Sequence, residues 1–216
     1  MRQASSAKVE KKTSSLSKAV YGKLLERIMN GVWTPGTIYD RRSVASELGV
    51  SIAPVGEAMI RLEEDGFIVN LPRKGTMLRT CDPRRLYESL IMREAVECQA
   101  IRMSFGKLRQ HEAKLRKLAI AASGERGKEQ RDADAAFHKE LVGLCGVKSL
   151  SEQLERLTMQ VLFDELHLLD SPEKTFDSHI SLLDELIAAN SPEAASERMR
   201  RHLRIGREGL FKRFEN

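Results

Sequence analysis

Asp134 and His138 stand four residues apart in the second half of the chain and could bind one metal ion together. The surrounding segment, 128–145, is predicted to be helical, so both side chains project from one face with their Cβ atoms about 5–6 Å apart. A carboxylate oxygen and an imidazole nitrogen at that separation can share a divalent ion. By itself this Asp-x-x-x-His pair is weak evidence for a site.

Two further histidines, His179 and His202, occur on later predicted helices, beside apolar positions that should face a core. One carboxylate and three imidazoles suit zinc, nickel, manganese or iron, and leave coordination positions open for water or a ligand. Taken singly, each histidine is more often a packed or surface residue than a ligand. His111 and His167 lie outside the pattern and are expected at the surface.

The elements that must position these side chains are helices. Beyond residue 83 the apolar residues recur with helical spacing, and glycine clusters or Ser-Pro pairs separate one helix from the next. The Ser-Pro pairs that start at Ser171 and Ser191 combine an N-cap with a first-turn proline, which predicts a helix start. An antiparallel all-α bundle of six to seven helices follows, with predicted helices at 83–105, 107–123, 128–145, 148–169, 172–189 and 192–214.

Shorter elements occupy the first part of the chain. Gly49 can adopt the left-handed conformation that ends a short helix, and Ser51 is an N-cap candidate for the next one. Pro54 falls in the first turn of that helix, where its missing N–H does no harm. The predicted helices run over about 16–29, 41–48 and 51–66.

A hairpin is predicted to follow these three helices. Residues 67–69 and 76–78 are predicted strands, and residues 72–75 form the tip between them. Three helices and a hairpin make a winged helix-turn-helix, so the predicted fold class is mainly α. The predicted domain division is a disordered basic tail at 1–15, a DNA-binding domain at 16–80, a linker at 81–83 and an all-helical domain at 84–216.

The basic excess lies with the predicted helix-turn-helix. The chain has 216 residues and a formal net charge of +5, and residues 1–82 carry 13 lysines and arginines against 9 acidic residues. This balance fits a protein that binds DNA phosphates, although a basic solvated surface would give the same charge. The Ser/Lys-rich tail has almost no large apolar residue and is expected to be solvated or to trail along DNA.

The cysteines indicate a reducing compartment. Cys81, Cys98 and Cys145 are odd in number and show no Cys-x-x-Cys spacing, which argues against a disulfide framework or a thiolate zinc site. No apolar run is long enough for a membrane span, and no signal peptide is present. The expected location is the cytoplasm, with no membrane partner.

The first half resembles the N-terminal domain of GntR-family transcriptional regulators. The resemblance spans about fifty residues in order and rests on Pro35-Gly36, Leu48-Gly49-Val50-Ser51, Pro54-Val55, Glu57-Ala58, Leu62-Glu63, Asp65-Gly66 and the Arg73/Lys74-Gly75 wing. It implies a homodimer whose two winged heads bind a palindromic double-stranded DNA operator, with half-sites about one helical turn apart.

The recognition helix departs from the family pattern at two positions. Where the family normally has arginines, this chain has Ile52 and Gly56, and each lost arginine removes about 1–3 kcal/mol of discrimination for guanine. The expected result is either an operator richer in A·T contacts or weak affinity supported by other residues. Gly56 could instead relieve a close backbone approach. The expected DNA-binding residues are Arg41, Arg42, Ser51, Ile52, Ala53, Gly56, Arg73, Lys74 and Gly75, with a solvated helix face as the alternative for the first two.

The helical half resembles the FCD ligand-sensing domain of the FadR subgroup. The resemblance rests on Asp134 and His138 on one helix and on His179 and His202 on later helices, in that order. It implies that these four side chains bind a divalent metal, zinc foremost, with nickel, manganese or iron as alternatives. It also implies a small carboxylate effector near Arg93, whose guanidinium fork suits a carboxylate, although an ion pair with Glu97 is an equally good interpretation.

The predicted function is therefore that of a transcriptional regulator whose operator affinity depends on an effector at a metal site. Regulators of this family are usually repressors, so a repressor is expected. A second interpretation is a metal and ligand sensor that has lost sequence-specific DNA binding. A third is a metal-dependent hydrolase, which ranks low because the chain has no His-Glu-x-x-His motif and Glu140 should point away from His138. A pocket for an acyl chain is the fourth, against which the intact Asp/His set argues.

Overall fold

The computed structural model describes residues 2–124, 127–168 and 178–215, with side chains described from residue 15 onward. Two compact units divide the chain, an N-terminal unit, Met1–Cys81, and a C-terminal unit, Asp82–Asn216. None of the described helices combines the length and the apolar character needed to cross a membrane.

Three helices form the core of the N-terminal unit: α1 (Arg2–Met29), α2 (Arg41–Leu48) and α3 (Ile52–Glu64). α1 and α3 pack together through aliphatic side chains at helical spacing, and their buried residues include Val20, Leu24, Ile28, Val55, Met59 and Leu62. Burial of such side chains contributes roughly 1.5–3 kcal/mol each, so this apolar face is what holds α3 in place.

The first helix is longer than the sequence predicts. α1 begins at Arg2, whereas residues 1–15 are predicted to be disordered. The segment has no proline, and its first glycine is Gly22, so nothing in it interrupts a helix. The prediction relied on the scarcity of large apolar residues, which says little about a segment that continues a packed helix.

The turn between α2 and α3 follows the prediction. Gly49 has φ 65° and ψ 33°, and its N–H donates to the carbonyl oxygens of Ala45 and Ser46, so the left-handed C-cap is confirmed. Ser51 is the N-cap residue of α3, but its side chain makes no capping hydrogen bond. α3 therefore starts without a side-chain cap, at a serine that is exposed.

The wing is a three-stranded antiparallel sheet with order β1-β3-β2, in which β1 is Ile38–Tyr39, β2 is Ile68–Leu71 and β3 is Gly75–Leu78. The predicted hairpin is β2 and β3. β1 is missed by the prediction because two residues cannot show alternation, and the strand exists only through its pairing with Met77 and Thr76. Gly75 has φ 115°, and a Cβ there would lie 2.9 Å from the carbonyl oxygen of Tyr39 on β1. The start of β3 therefore requires glycine at this position.

The C-terminal unit is helical throughout its described part. Its helices are α4 (Pro83–Ser104), α5 (Glu112–Ala122), α6 (Lys128–Gly143), α7 (Lys148–Leu168), α8 (His179–Ala188), α9 (Pro192–Arg204) and α10 (Glu208–Phe214). Two 3-10 turns, Phe105–Lys107 and Arg109–His111, connect α4 to α5. The predicted fold class, a winged helix-turn-helix followed by a helical bundle, is confirmed.

Two predicted boundaries of the bundle need comment. The single helix predicted over 192–214 is two helices, because Gly206 takes a left-handed conformation with φ 74° between α9 and α10. The helix start predicted at Ser171-Pro172 lies outside the described residues. Within them α8 begins at His179, and the hydroxyl of its N-cap, Ser178, accepts a hydrogen bond from the N–H of Ser181.

α4 is the central helix of the bundle and packs against α6, α7 and α9. The main core contains Ile101 from α4, Phe137 and Leu141 from α6, and Met199 from α9, all without solvent exposure. These contacts bring the polar residues of α4, α6, α8 and α9 to a common point inside the bundle.

Candidate metal centre and nucleic-acid interface

Three histidines from three helices converge inside the C-terminal unit. His138 from α6, His179 at the start of α8 and His202 from α9 place one ring nitrogen each within 4.8 Å of one another. The ring centroids of His138 and His202 are 5.4 Å apart, and those of His179 and His202 are 5.0 Å apart. The structure thus brings together all three histidines that the sequence singles out.

Asp134 joins this cluster from the turn before His138. Its Oδ1 lies 2.8 Å from Nε2 of His179 and 3.9 Å from Nε2 of His138. Burial alone would raise the pKa of Asp134, but the close approach of His179 and the charges of His138 and Arg93 outweigh burial and hold that pKa below its usual range. The carboxylate is therefore ionised at neutral pH.

The cluster fits a divalent metal ion. Within the described residues, the buried Nε2 of His179 has no hydrogen-bond partner, since its short distance to Asp134 lacks hydrogen-bond geometry. Buried polar atoms in native proteins nearly always have a partner, so this atom points to a ligand at the centre of the cluster. Three imidazoles and one carboxylate are the donors that zinc and related ions accept.

Glu97 and Arg93 on α4 form a hydrogen-bonded chain behind His138. Nδ1 of His138 lies 2.5 Å from Oε2 of Glu97, and Nε of Arg93 donates to Oε1 of Glu97 at 2.5 Å. Glu97 has no solvent exposure. Because the carboxylate engages Nδ1, it fixes the ring so that Nε2 faces the cluster, which is how outer carboxylates usually orient metal-binding histidines.

Burial would raise the pKa of Glu97, but the charges and hydrogen bonds of His138 and Arg93 together lower it to about 2. Sequence analysis treats Glu97 only as an ion-pair partner of Arg93, four residues earlier. Its contact with His138 depends on the packing of α4 against α6, and no local pattern in the sequence contains that information.

His202 is held neutral by its surroundings. Burial, followed by the charges of His138 and His179, lowers the pKa of His202 to about 2. A neutral imidazole is the form that binds metal, so no proton has to leave His202 at physiological pH.

A cavity of about 290 Å³ opens onto this cluster. Asp134, His138, His179 and His202 line it together with Arg93. Arg93 is the ion-pair partner of Glu97, as one of its two interpretations predicts, and it also lines the cavity, whereas its contact with an effector stays a prediction. Nη2 of Arg207, another residue of the lining, lies 2.9 Å from Oε1 of Glu165.

Other polar residues named in the sequence lie elsewhere. His111 and His167 lie outside the cluster, as expected, and are partly exposed; each ring contacts a backbone carbonyl oxygen one turn earlier, that of Lys107 or of Phe163. Glu140 lies 2.7 Å from Lys114 in an ion pair, as expected for a side chain that points away from the cluster.

The start of α3 is an exposed surface in the N-terminal unit. Ser51, Ile52 and Ala53 are exposed, Ile52 to 49%. A Cβ at Gly56 would meet no atom within 4 Å, so the idea that Gly56 relieves a close backbone approach is wrong. Both positions where the family has arginine are therefore open.

Basic residues flank this surface. Nη2 of Arg41 donates to Oδ1 of Asn70 on β2 at 2.9 Å, which ties α2 to the wing, whereas Arg42 is exposed. A concavity of about 450 Å³ lies between the start of α2, the start of α3 and the wing, and is lined by Asp40, Arg41, Arg42, Ile52, Asn70, Leu71, Pro72, Arg73 and Gly75. Arg73 and Lys74 are exposed at the wing tip.

Comparison with known proteins matches the two units separately. Residues 16–78 match the family described as bacterial regulatory proteins, gntR family, and residues 88–205 match the FCD domain. The second match alone covers more than half of the chain.

Several curated transcriptional regulators are similar over most of their length. The chain is 23% identical to the HTH-type transcriptional repressor RspR of Escherichia coli K12, over 88% of this chain and 87% of that protein. It is 24% identical to the Nta operon transcriptional regulator of Aminobacter aminovorans, over 75% of this chain and 79% of that protein.

A solved structure of E. coli McbR/YncC shares the fold, with a TM-score of 0.70 and 23% identity over 92% of this chain and 98% of that one. A GntR regulator from Rhodococcus sp. RHA1 aligns with a TM-score of 0.63 and 21% identity, over 93% and 99%. With these likenesses beside the family matches, the chain belongs to the GntR family of DNA-binding transcriptional regulators, in the group whose C-terminal half is an FCD domain, and is not an enzyme.

Proposed function

We propose that this protein is a dimeric repressor that releases a palindromic operator when a small carboxylate binds at a metal site in its FCD domain. The observation that carries the proposal is the convergence of Asp134, His138, His179 and His202 at the wall of a cavity that Arg93 also lines. A relative over most of the chain is named a repressor, which supports the sign of regulation. We place the protein in the cytoplasm, where its DNA lies.

Two donors of the proposed metal site are in the states that metal binding requires, and a third is oriented for it. His202 is neutral, Asp134 is ionised and Glu97 holds His138 with Nε2 toward the cluster. A divalent ion held there, zinc foremost, supplies a Lewis acid with coordination positions open to a carboxylate oxygen. Nickel, manganese and iron accept the same donor set and are tested beside zinc.

Arg93 is suited to hold the effector's carboxylate. It is buried, its Nε donates to Glu97, and it lines the cavity. Among the described residues, Glu97 is its hydrogen-bond partner. A guanidinium fixed in this way can accept a carboxylate without losing much side-chain freedom.

The DNA-binding surface combines the start of α3 with the wing. The start of α3 suits a phosphate, since helix N-termini favour anions and the exposed Ser51 makes no capping hydrogen bond. Ile52 and Ala53 suit thymine methyl groups, and Arg42, Arg73 and Lys74 are exposed for phosphate contacts. An operator richer in A·T contacts than the family norm follows from Ile52 and Gly56.

The experiment is fluorescence anisotropy of the full chain with DNA that flanks its own gene, against a scrambled duplex, at several salt concentrations. Selective binding with a steep salt dependence supports a specific regulator. Zinc titration by calorimetry tests the metal site separately. Equal and weak binding to both duplexes, together with tight zinc binding, would favour the second candidate, a sensor that no longer recognises a DNA sequence, to which Ile52 and Gly56 point.

A further inference from the structure

We infer that the effector is a monocarboxylate with an apolar body, and not a polyhydroxylated or multiply charged acid. This inference rests on the proposed function, because it concerns the rest of the molecule whose carboxylate Arg93 and the metal site hold. It comes from the part of the cavity wall that α7 and the end of α9 form.

That wall is apolar. α7 contributes Met159, Leu162 and Leu166, which recur three and four residues apart and therefore share one helical face. Leu203 and Ile205, at the end of α9, line the cavity as well. A ligand that extends from the cluster thus meets hydrocarbon side chains from two elements.

Apart from Arg93 and Asp134, the lining has two charged residues that pair with each other and two, Arg131 and Asp132, that are exposed. Glu165 and Arg207 are largely buried and interact at 2.9 Å, and Nη1 of Arg207 also donates to the carbonyl oxygen of Leu203 at 2.9 Å. Gln130 donates its amide to the carbonyl oxygen of Ala122 at 3.1 Å. Ligand hydroxyl groups placed here would lose water and gain few partners, which opposes binding of a polyol.

The charge balance favours a single negative charge. Arg93 cancels Glu97, and Arg207 cancels Glu165. A divalent ion beside Asp134 then leaves one positive charge in a buried site, provided that the imidazoles are neutral. One carboxylate neutralises that charge, whereas a second would leave the site with a net negative charge, since the exposed Arg131 and Asp132 of the lining cancel each other.

The size of the cavity limits the apolar body. At about 290 Å³ it lies at the lower end of the range of roughly 300–1,000 Å³ that ligand pockets span. A short aliphatic or single-ring acid fits this volume.

The test uses matched acids on the zinc-loaded full chain, with calorimetry at a fixed free zinc concentration. Acetate, butyrate and hexanoate form a length series, and we expect affinity to rise about three- to fourfold for each added methylene. Hexanoate and gluconate both have six carbons and one carboxylate, and hexanoate should bind at least tenfold more tightly. Butyrate should bind more tightly than succinate, in which a second carboxylate replaces the terminal methyl group of butyrate.

A variant locates the effect. Leu162→Asn should lower the affinity for hexanoate about tenfold and leave the affinities for acetate and for zinc unchanged. Ile120→Asn is the control, because Ile120 is 57% exposed on α5 and does not line the cavity.

The outcomes separate the two proposals. Equal affinity for acetate, butyrate and hexanoate, or gluconate binding as tightly as hexanoate, overturns the inference of an apolar body. Either result leaves the proposed carboxylate site unaffected. If zinc binds and none of the acids does, the carboxylate part of the proposed function is wrong, and the inference falls with it.

Discussion

The C-terminal and N-terminal units present their functional side chains in opposite ways. The metal-binding candidates lie inside the helical unit, come from α6, α8 and α9, and include His138, which contacts Glu97. The DNA-binding candidates lie at the starts of α2 and α3 and at the wing tip, and most of them are exposed. A buried site depends on packing to set its chemistry, whereas an exposed surface depends mainly on the side chains that it presents. Single substitutions should therefore act through different physical terms in the two units.

The largest effect is expected from loss of a metal donor. His179→Ala should weaken zinc binding by more than the roughly 10–100-fold that loss of an outer partner costs, because it removes a buried ring nitrogen of the cluster itself. Isothermal titration with zinc measures the change. His111→Ala is the matched control, since His111 lies outside the cluster, and an equal loss in both variants would show that the cluster is not the metal site.

A smaller effect should follow from loss of the outer carboxylate. Glu97→Gln keeps the shape but removes the charge that orients His138, so zinc affinity should fall about 10–100-fold. Glu88→Gln, on the same helix but exposed, should leave zinc affinity unchanged. Unchanged zinc affinity in Glu97→Gln would mean that Glu97 serves only to pair Arg93.

Restoring the family arginines should change the DNA preference. In Ile52→Arg/Gly56→Arg, each new arginine that reaches a guanine adds about 1–3 kcal/mol of discrimination, and operator selection should shift toward G·C pairs at the corresponding positions. Both sites have room for the side chain. Selection from a random duplex library measures the shift.

Val32→Arg is the control for this double variant. Val32 is exposed and lies outside α2 and α3, so an arginine there adds positive charge but does not extend from the recognition helix toward the bases. It should strengthen binding to all duplexes alike. If the double variant does the same and selects no new sequence, the start of α3 does not contact base edges.

The smallest effect separates two glycines of the N-terminal unit. Gly56→Ala should raise the free energy of unfolding by roughly 0.5–1 kcal/mol, because the helix gains propensity and the added methyl meets nothing. Gly75→Ala should lower it, because its Cβ would approach the carbonyl oxygen of Tyr39 to 2.9 Å at φ 115°. Urea unfolding with constant m-values measures both. Destabilisation by Gly56→Ala would contradict the open environment of that position.

Much of the fold was predictable, and the failures have specific causes. Helical spacing and punctuation by Gly49 and the Ser-Pro pair at Ser191 predict most helices of the described part correctly. β1 was missed because a two-residue strand has no pattern of its own. The break at Gly206 was missed because a single glycine within a segment of helical spacing does not by itself predict a left-handed turn.

The sequence by itself determined the family, the two-part organisation and the four residues proposed for the metal site, because each of these rests on residue types in a fixed order along the chain. Only the tertiary structure decided that Glu97 contacts His138, that Gly56 is open and that apolar residues of α7 and α9 line the cavity beside the histidines. These are contacts between helices far apart in the chain. Their partners are set by how whole faces pack, and a local pattern cannot specify which faces meet.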